Sequence, residues 1–276
     1  MMFTTEQILD IAVKKAGLDC VPADSGVLVP GENIKKAAFG VDIEVGEVLL
    51  AKELGVDCLI THHPEGEHLV NLFKVMENQI DRMVEAGVPI NKAQKVLSER
   101  KEQVERNLHV SNYNRAVSAA RLLGMSFVAI HSPADFLAQR VVQKHLDEKI
   151  GPYPKATLKD VVNALMELPE YQKTHAQPKI RVGSEESYAG KVFVTFAGGT
   201  SGGAKVFKAY FEAGIGTLVV MHVPDDVVKE VKEQNIGNVI VAGHMASDSV
   251  GINQIIEELE KAGLEVVRFS GVIDPK

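Results

Sequence analysis

Cysteine is scarce in this chain: of 276 residues only Cys20 and Cys58 are cysteines, and they form no C-x-x-C pair. That suits a reducing compartment rather than a disulfide scaffold. Positive charge is also short, with 30 Lys and Arg against 37 Asp and Glu and a net charge of −7. With a pI near 5.8, a broad nucleic-acid footprint is not expected, which leaves room only for a local basic patch. No apolar run approaches the ~20 residues needed to cross a bilayer. The start, Met1-Met2-Phe3-Thr4-Thr5-Glu6-Gln7, lacks a basic n-region and an apolar h-region, so no signal peptide is expected. There is no Walker loop, no G-x-G-x-x-G and no nucleophile elbow. The expectation is a cytoplasmic protein. Its 45% hydrophobic content supplies a full core, and its length allows two small domains or one large one.

What is present is a recurring strand ending. Cys58-Leu59-Ile60-Thr61 runs into His62, His63 and Pro64. Phe127-Val128-Ala129-Ile130 ends in His131, and Val239-Ile240-Val241-Ala242-Gly243 ends in His244. Asp135 and Asp248 each follow four residues after the histidine. Sites in open parallel sheets form outside the carboxyl ends of strands. Three such endings would bring four imidazoles and two carboxylates to one sheet edge. That donor set is sufficient for two divalent ions and, lacking thiolate, suits Zn, Mn or Fe.

In chain order, Thr4 and Gln7 form a capping box and Gly17 closes the first helix. Residues 20 to 35 are turn-rich. A strand over Ala37 to Val41, a helix over Val45 to Leu54 and a strand over Val56 to Thr61 make a β-α-β unit, hence a parallel sheet. Leu69 to Leu123 is helical with a break at Gly87-Val88-Pro89, and Leu72, Val75, Met76, Ile80, Met83 and Val84 form a stripe expected to be buried. The charged stretch 92 to 107 is read as a solvated helix face rather than a partner-binding helix. Ser132-Pro133-Ala134-Asp135 starts a helix, and Gly151-Pro152-Tyr153-Pro154 is the clearest linker. Strands then alternate with helices from Lys191 to Phe269. Setting Gly55 on Gly214 aligns Leu50–His63 with the segment from Tyr210 and puts His63 on His222. The expected fold class is therefore α/β, as two related lobes with mostly parallel sheets flanked by helices. The expected boundaries are 1–150 for a first lobe with a helical insertion at 69–123, 151–237 for a second lobe, and 238–276 for a segment returning to the metal site.

Each candidate has a duller reading. A lone strand-end histidine is more often a satisfied polar residue than a ligand. Asp135 and Asp248 would serve equally as acids at helix starts. His222, with Asp226 four residues on, is not excluded by spacing alone. The run Gly198-Gly199-Thr200-Ser201-Gly202-Gly203 could offer N–H groups of Gly199, Gly202 and Gly203 to a phosphate, or be only a tight turn. It is the threefold repetition of one strand ending that favours a metal site.

These residues resemble a known family. Val56-Asp57-Cys58-Leu59-Ile60-Thr61-His62-His63-Pro64 is similar to the signature of the Nif-three-like (Ngg-interacting-factor-three) family, whose members are often labelled GTP cyclohydrolase I type 2 homologues. Ala129-Ile130-His131-Ser132-Pro133-Ala134-Asp135 resembles its His–Thr–x–x–Asp segment, Gly198-Gly199 its Gly-rich turn, and Gly243-His244-Met245-Ala246-Ser247-Asp248 its Gly–His–x–x–(Ser/Thr)–Glu motif. The resemblance implies a dinuclear centre of His62, His63, Asp135, His244 and Asp248 with His131 nearby, two α/β lobes, and a ring-shaped homohexamer. It places no ligand at His222. Position 248 carries Asp where the family has Glu, one methylene shorter. After Pro64 the chain continues Glu65-Gly66-Glu67-His68 instead of an apolar segment, and the 69–123 block is longer than the family's usual connection.

The resulting expectation is a metal-dependent hydrolase acting on a nucleotide-like or phosphate-containing small molecule, GTP cyclohydrolase type 2-like by resemblance, with Glu65 or His68 as a proton carrier. The competing class is a non-catalytic metal-binding regulatory or assembly protein. Turnover that depends on metal separates them.

Overall fold

The computed structural model describes residues 2–276. The chain divides into two compact units, one of Met1–Val75, Val104–Leu137 and Asp248–Asp274, the other of Met76–Gln103, Ala138–Ser247 and Pro275–Lys276.

The first unit is built on five strands: β1 (Gly26–Val29), β2 (Lys36–Gly40), β3 (Cys58–Thr61), β4 (Ser126–Ala129) and β9 (Glu265–Phe269). They lie in the order β1-β4-β3-β2-β9. β9, β2, β3 and β4 are parallel, and β1 adds to β4 antiparallel. A parallel sheet must be covered on both faces, and the strand alternation shows how. Ala37, Phe39, Cys58, Ile60 and Val128 point to one face, where α1 (Thr5–Ala16) packs Ile8, Ala12 and Val13 and α13 (His244–Lys261) packs Ile252, Ile255 and Ile256. Ala38, Leu59, Phe127 and Ala129 point to the other, against Val48 and Ala51 of α2 (Val45–Glu53) and Ala116, Val117 and Ala120 of α7 (Arg115–Leu123). α1 carries the capping box expected at Thr4, and Gly17 ends it in the left-handed conformation.

The second unit repeats the plan with β5 (Lys179–Val182), β6 (Val192–Thr195), β7 (Thr217–Val220) and β8 (Asn238–Val241) in the order β5-β8-β7-β6. β5 is antiparallel to β8, the others are parallel. The correspondence extends to irregularities: β1 and β5 each slip register at the same place along the partner strand. The Gly55–Gly214 alignment lays β3 on β7 residue for residue.

Two strands were not foreseen. β1 falls in the turn-rich stretch 20 to 35 and β5 in the polar stretch around Pro178. Both are short bulged edge strands: Val27-Leu28-Val29 of β1 is enclosed by Gly26 and Pro30, and β5 alternates with Lys179 and Arg181. The buried stripe near residue 80 is narrower than expected: Met76, Gln79 and Met83 are buried, whereas Val84 is 42% exposed. Spacing of three and four selects the first three, and Val84 falls to the solvent side of α5 (Asn78–Glu85). Along α6 (Ile90–His109), Ala93, Leu97 and Val104 are buried. Its cations form surface pairs such as Lys92–Glu212.

Candidate metal centre

Parallel register brings the first-unit strand ends together. Gly40 pairs with Thr61 and Thr61 with Ala129. One step beyond, the backbone continues in register: His62 N–H donates to Gly40 O and His63 N–H to Val41 O at 2.9 Å each, and Ile130 N–H donates to Thr61 O at 2.9 Å. Asp42, His62, His63 and His131 therefore emerge at one edge. α8 (Ser132–Lys149) starts immediately after β4 and lays Asp135 one turn beyond His131. α13 supplies Asp248.

Two overlapping groups have ligand atoms within 4.8 Å of one another, His62–His63–Asp248 and His62–His131–Asp135. His62 Nε2 lies 3.5 Å from both Asp135 Oδ1 and Asp248 Oδ1. His63 Nε2 is 3.7 Å from Asp248 Oδ2, and His131 Nε2 is 3.7 Å from Asp135 Oδ2. In each ring the other nitrogen faces an oxygen. His131 Nδ1 is 2.7 Å from Asp24 Oδ2, His63 Nδ1 is 2.7 Å from Asp42 Oδ1, and His62 Nδ1 is 3.3 Å from Ile130 O. An Nδ1–H donating to oxygen leaves the Nε2 lone pair for a ligand. All three lone pairs then point at the two carboxylates.

The electrostatics agree with this. Burial pushes the Asp135 carboxyl up, and although His131 and His62 oppose it, the pKa stands at about 6. Burial would lower His131, but the charges of Asp135 and Asp24 outweigh it and raise the ring to about 9. Burial would likewise raise Asp24, but His131 and the Ser132 and Ser25 hydroxyls hold it below the usual carboxylate range. Asp24, Asp135 and Asp248 are all buried, and among the described residues the ion-pair partners of Asp24 and Asp135 are histidines rather than Lys or Arg. His62 Nε2 and Asp135 Oδ1 are buried without a hydrogen bond. Buried polar atoms are seldom left so. Lone pairs converging on surplus negative charge are what a divalent cation requires, and imidazole with carboxylate suits Zn, Mn or Fe. Lacking a hydrogen bond, Asp135 Oδ1 does not cap the helix's free N–H groups.

The structure brings together His62, His63, His131, Asp135 and Asp248. His244, the sixth expected ligand, opens α13 in the second unit, where its ring lies 4.8 Å from that of His222. Asp24 and Asp42 went unnoticed in the sequence. Asp42 had a signal, since it follows the β2 run by one residue, as the histidines follow theirs; Asp24 had none, because its strand was not recognised. His68 stacks against the backbone of Gly26, with Nδ1 3.3 Å from Ala23 O. Glu65 is half-buried, and burial, reinforced by Glu44 and Asp42, lifts its carboxyl to about 7 against the pull of Arg115.

In the second unit, the glycine run joins β6 to α11 (Ala204–Glu212). Gln79 Nε2 donates to Gly198 O and Thr200 O at 2.7 Å each, and Arg100 Nε donates to Ser201 O at 3.1 Å. A Cβ on Gly202 would fall 2.4 Å from Gln79 Oε1. Close approach of Gln79 thus accounts for Gly202, and a positive φ of 80° and 84° accounts for Gly199 and Gly203.

No protein-family model and no curated relative matches the sequence. Solved structures do. A NIF3 superfamily protein from Sphaerobacter thermophilus is 36% identical over 98% of both chains, with a TM-score of 0.93. Reduced HcgD from Methanocaldococcus jannaschii superposes with a TM-score of 0.62 at 16% identity, covering 97% of this chain and 98% of that one. A Bacillus cereus protein related to NIF3 gives 0.56 at 11% identity, covering 100% and 99%. The last two share the fold. The first, at that identity and coverage, shows that the chain belongs to the NIF3 superfamily.

Proposed function

We propose that the chain is a dinuclear metal-binding protein and a metal-dependent hydrolase acting on a nucleotide-like or phosphate-containing small molecule. The observation that carries the metal part is the convergence of three Nε2 atoms on two buried carboxylates, with His62 Nε2 and Asp135 Oδ1 lacking any hydrogen bond. One lone pair serves one ion, so His62 cannot complete both groups at once. His244 is the remaining donor in this proposal by the family resemblance alone. Bound ions would polarise a substrate oxygen and lower the pKa of a coordinated water. The chain's own residues would hold the ions, fix the rings through Asp24, Asp42 and Ile130 O, and keep the inner carboxylates out of bulk water. Substrate class and a ring-shaped homohexamer rest on the family resemblance alone.

Elemental analysis after reconstitution with Zn, Mn or Fe, followed by a turnover screen over nucleotides and phosphoesters, tests the reading. About two ions per chain and turnover lost in Asp135→Ala are expected. Bound metal with no turnover would favour the regulatory or assembly role, and a chain that never holds metal refutes both.

A further inference from the structure

Asp24 is a buried carboxylate outside both ligand groups, yet it holds His131 from two directions. Its Oδ2 accepts from His131 Nδ1 at 2.7 Å and from Ser132 Oγ at 2.6 Å. Its Oδ1 accepts from Ser25 Oγ at 3.2 Å, and the same Ser25 Oγ accepts the backbone N–H of His131 at 3.0 Å. The edge strand explains this placement. β1 runs antiparallel to β4 with Gly26 opposite Ala129, so stepping back through Ser25 and Asp24 advances through Ile130 to His131. The side chain of His68 lies on Gly26, where a Cβ would be only 2.3 Å from its ring.

We infer that Asp24 is the positioning residue for His131, fixing the ring with Nδ1 protonated so that Nε2 is kept for a metal ion. The inference rests on the metal reading above. A buried carboxylate bonded to a ring nitrogen selects the tautomer and orients the ring, and such a charge-assisted bond is strengthened where water is excluded. Asp42 makes the same kind of bond to His63, but its side chain is 67% exposed. It is therefore a built-in comparison in which the effect is smaller. Asn at position 24 keeps the shape of Asp but presents N–H to Nδ1. That turns Nδ1 into the acceptor and moves the ring proton to Nε2, where it blocks the ion.

Zinc titration of parent, Asp24→Asn and Asp42→Asn is the test. Asp24→Asn should weaken uptake about 10- to 100-fold, and Asp42→Asn less. In a His131→Gln background, Asp24→Asn should add no further loss, since its effect passes through the ring. A merely structural role would lower thermal stability in both backgrounds and leave zinc affinity unchanged, and that result overturns the inference. If Asp24→Asn does not fold, the zinc-loaded parent suffices: long-range ¹H–¹⁵N spectra of the histidines should show His131 protonated at Nδ1 and bound through Nε2. The reverse assignment overturns the inference, whereas a parent that takes up no zinc overturns the metal reading itself.

Discussion

Asp135→Asn should stabilise the metal-free protein while removing its metal. The Asp135 carboxyl is buried, and its pKa of about 6 stands above the ordinary value of 3.8. A raised carboxyl pKa means that ionisation is harder in the folded chain than in the unfolded one. The cost is absent below about pH 4, grows between there and pH 6, and is fully present above. The displacement of about two units, at about 1.4 kcal/mol each, amounts to about 3 kcal/mol at pH 7. Asn removes the charge at nearly equal volume, and Asp24 remains beside His131 to hold that ring. In urea denaturation with chelator at pH 7, the variant should therefore exceed the parent by up to about 3 kcal/mol. At pH 4 the advantage should vanish, because the parent's own carboxyl is then protonated. Saturating metal should reverse the order, since ligand at a thousand times its dissociation constant stabilises the parent by about 4.1 kcal/mol and the variant has lost a donor. A metal-free variant less stable than the parent at pH 7 would refute the reasoning, because Asp135 would then be a structural group and not a ligand held at a cost.

Other outcomes follow from the same geometry. His131, at about 9, carries a proton at neutral pH in the metal-free chain; metal uptake in weak buffer should release about one proton per ion at that position, with affinity rising up to tenfold per pH unit until about pH 9. His62→Ala, His63→Ala and His131→Ala should each weaken mainly one ion in elemental analysis, since one imidazole lone pair serves one ion. Gly202→Ala would set a Cβ 2.4 Å from Gln79 Oε1 and 2.9 Å from Val206 Cγ2, so it should lower stability by about 1–3 kcal/mol in denaturant while leaving metal content unchanged.

Much of this was legible because parallel strands carry their signature openly. Leu59, Ile60, Phe127 and Val128 are apolar on both faces of the sheet, as a doubly covered strand must be, and the residues that follow them inherit the register. Once β3 and β4 were recognised, His62, His63 and His131 had to meet at one edge. Asp24 was invisible for the complementary reason. It precedes a strand that is four residues long, bulged, at the sheet edge and closed in by Gly26 and Pro30, and its partner lies 107 positions away. Gln79 was hidden differently. It sits in a stripe of helical spacing that would normally be filled by an apolar residue, and only the loop carbonyls at Gly198 and Thr200 reveal why an amide is tolerated there.

The duplication of the sheet has a consequence for how such a centre arises. Carrying the register from one sheet to the other lays Met221 on His62 and Gly243 on His131, while Gln177 and Pro178 stand where Asp24 and Ser25 do. At His131 ligand and support are missing together, whereas His222 keeps the place of His63 while Ala197 stands where Asp42 does. Grafting histidines alone onto the second sheet would thus give rings without the carboxylates that aim them in the first.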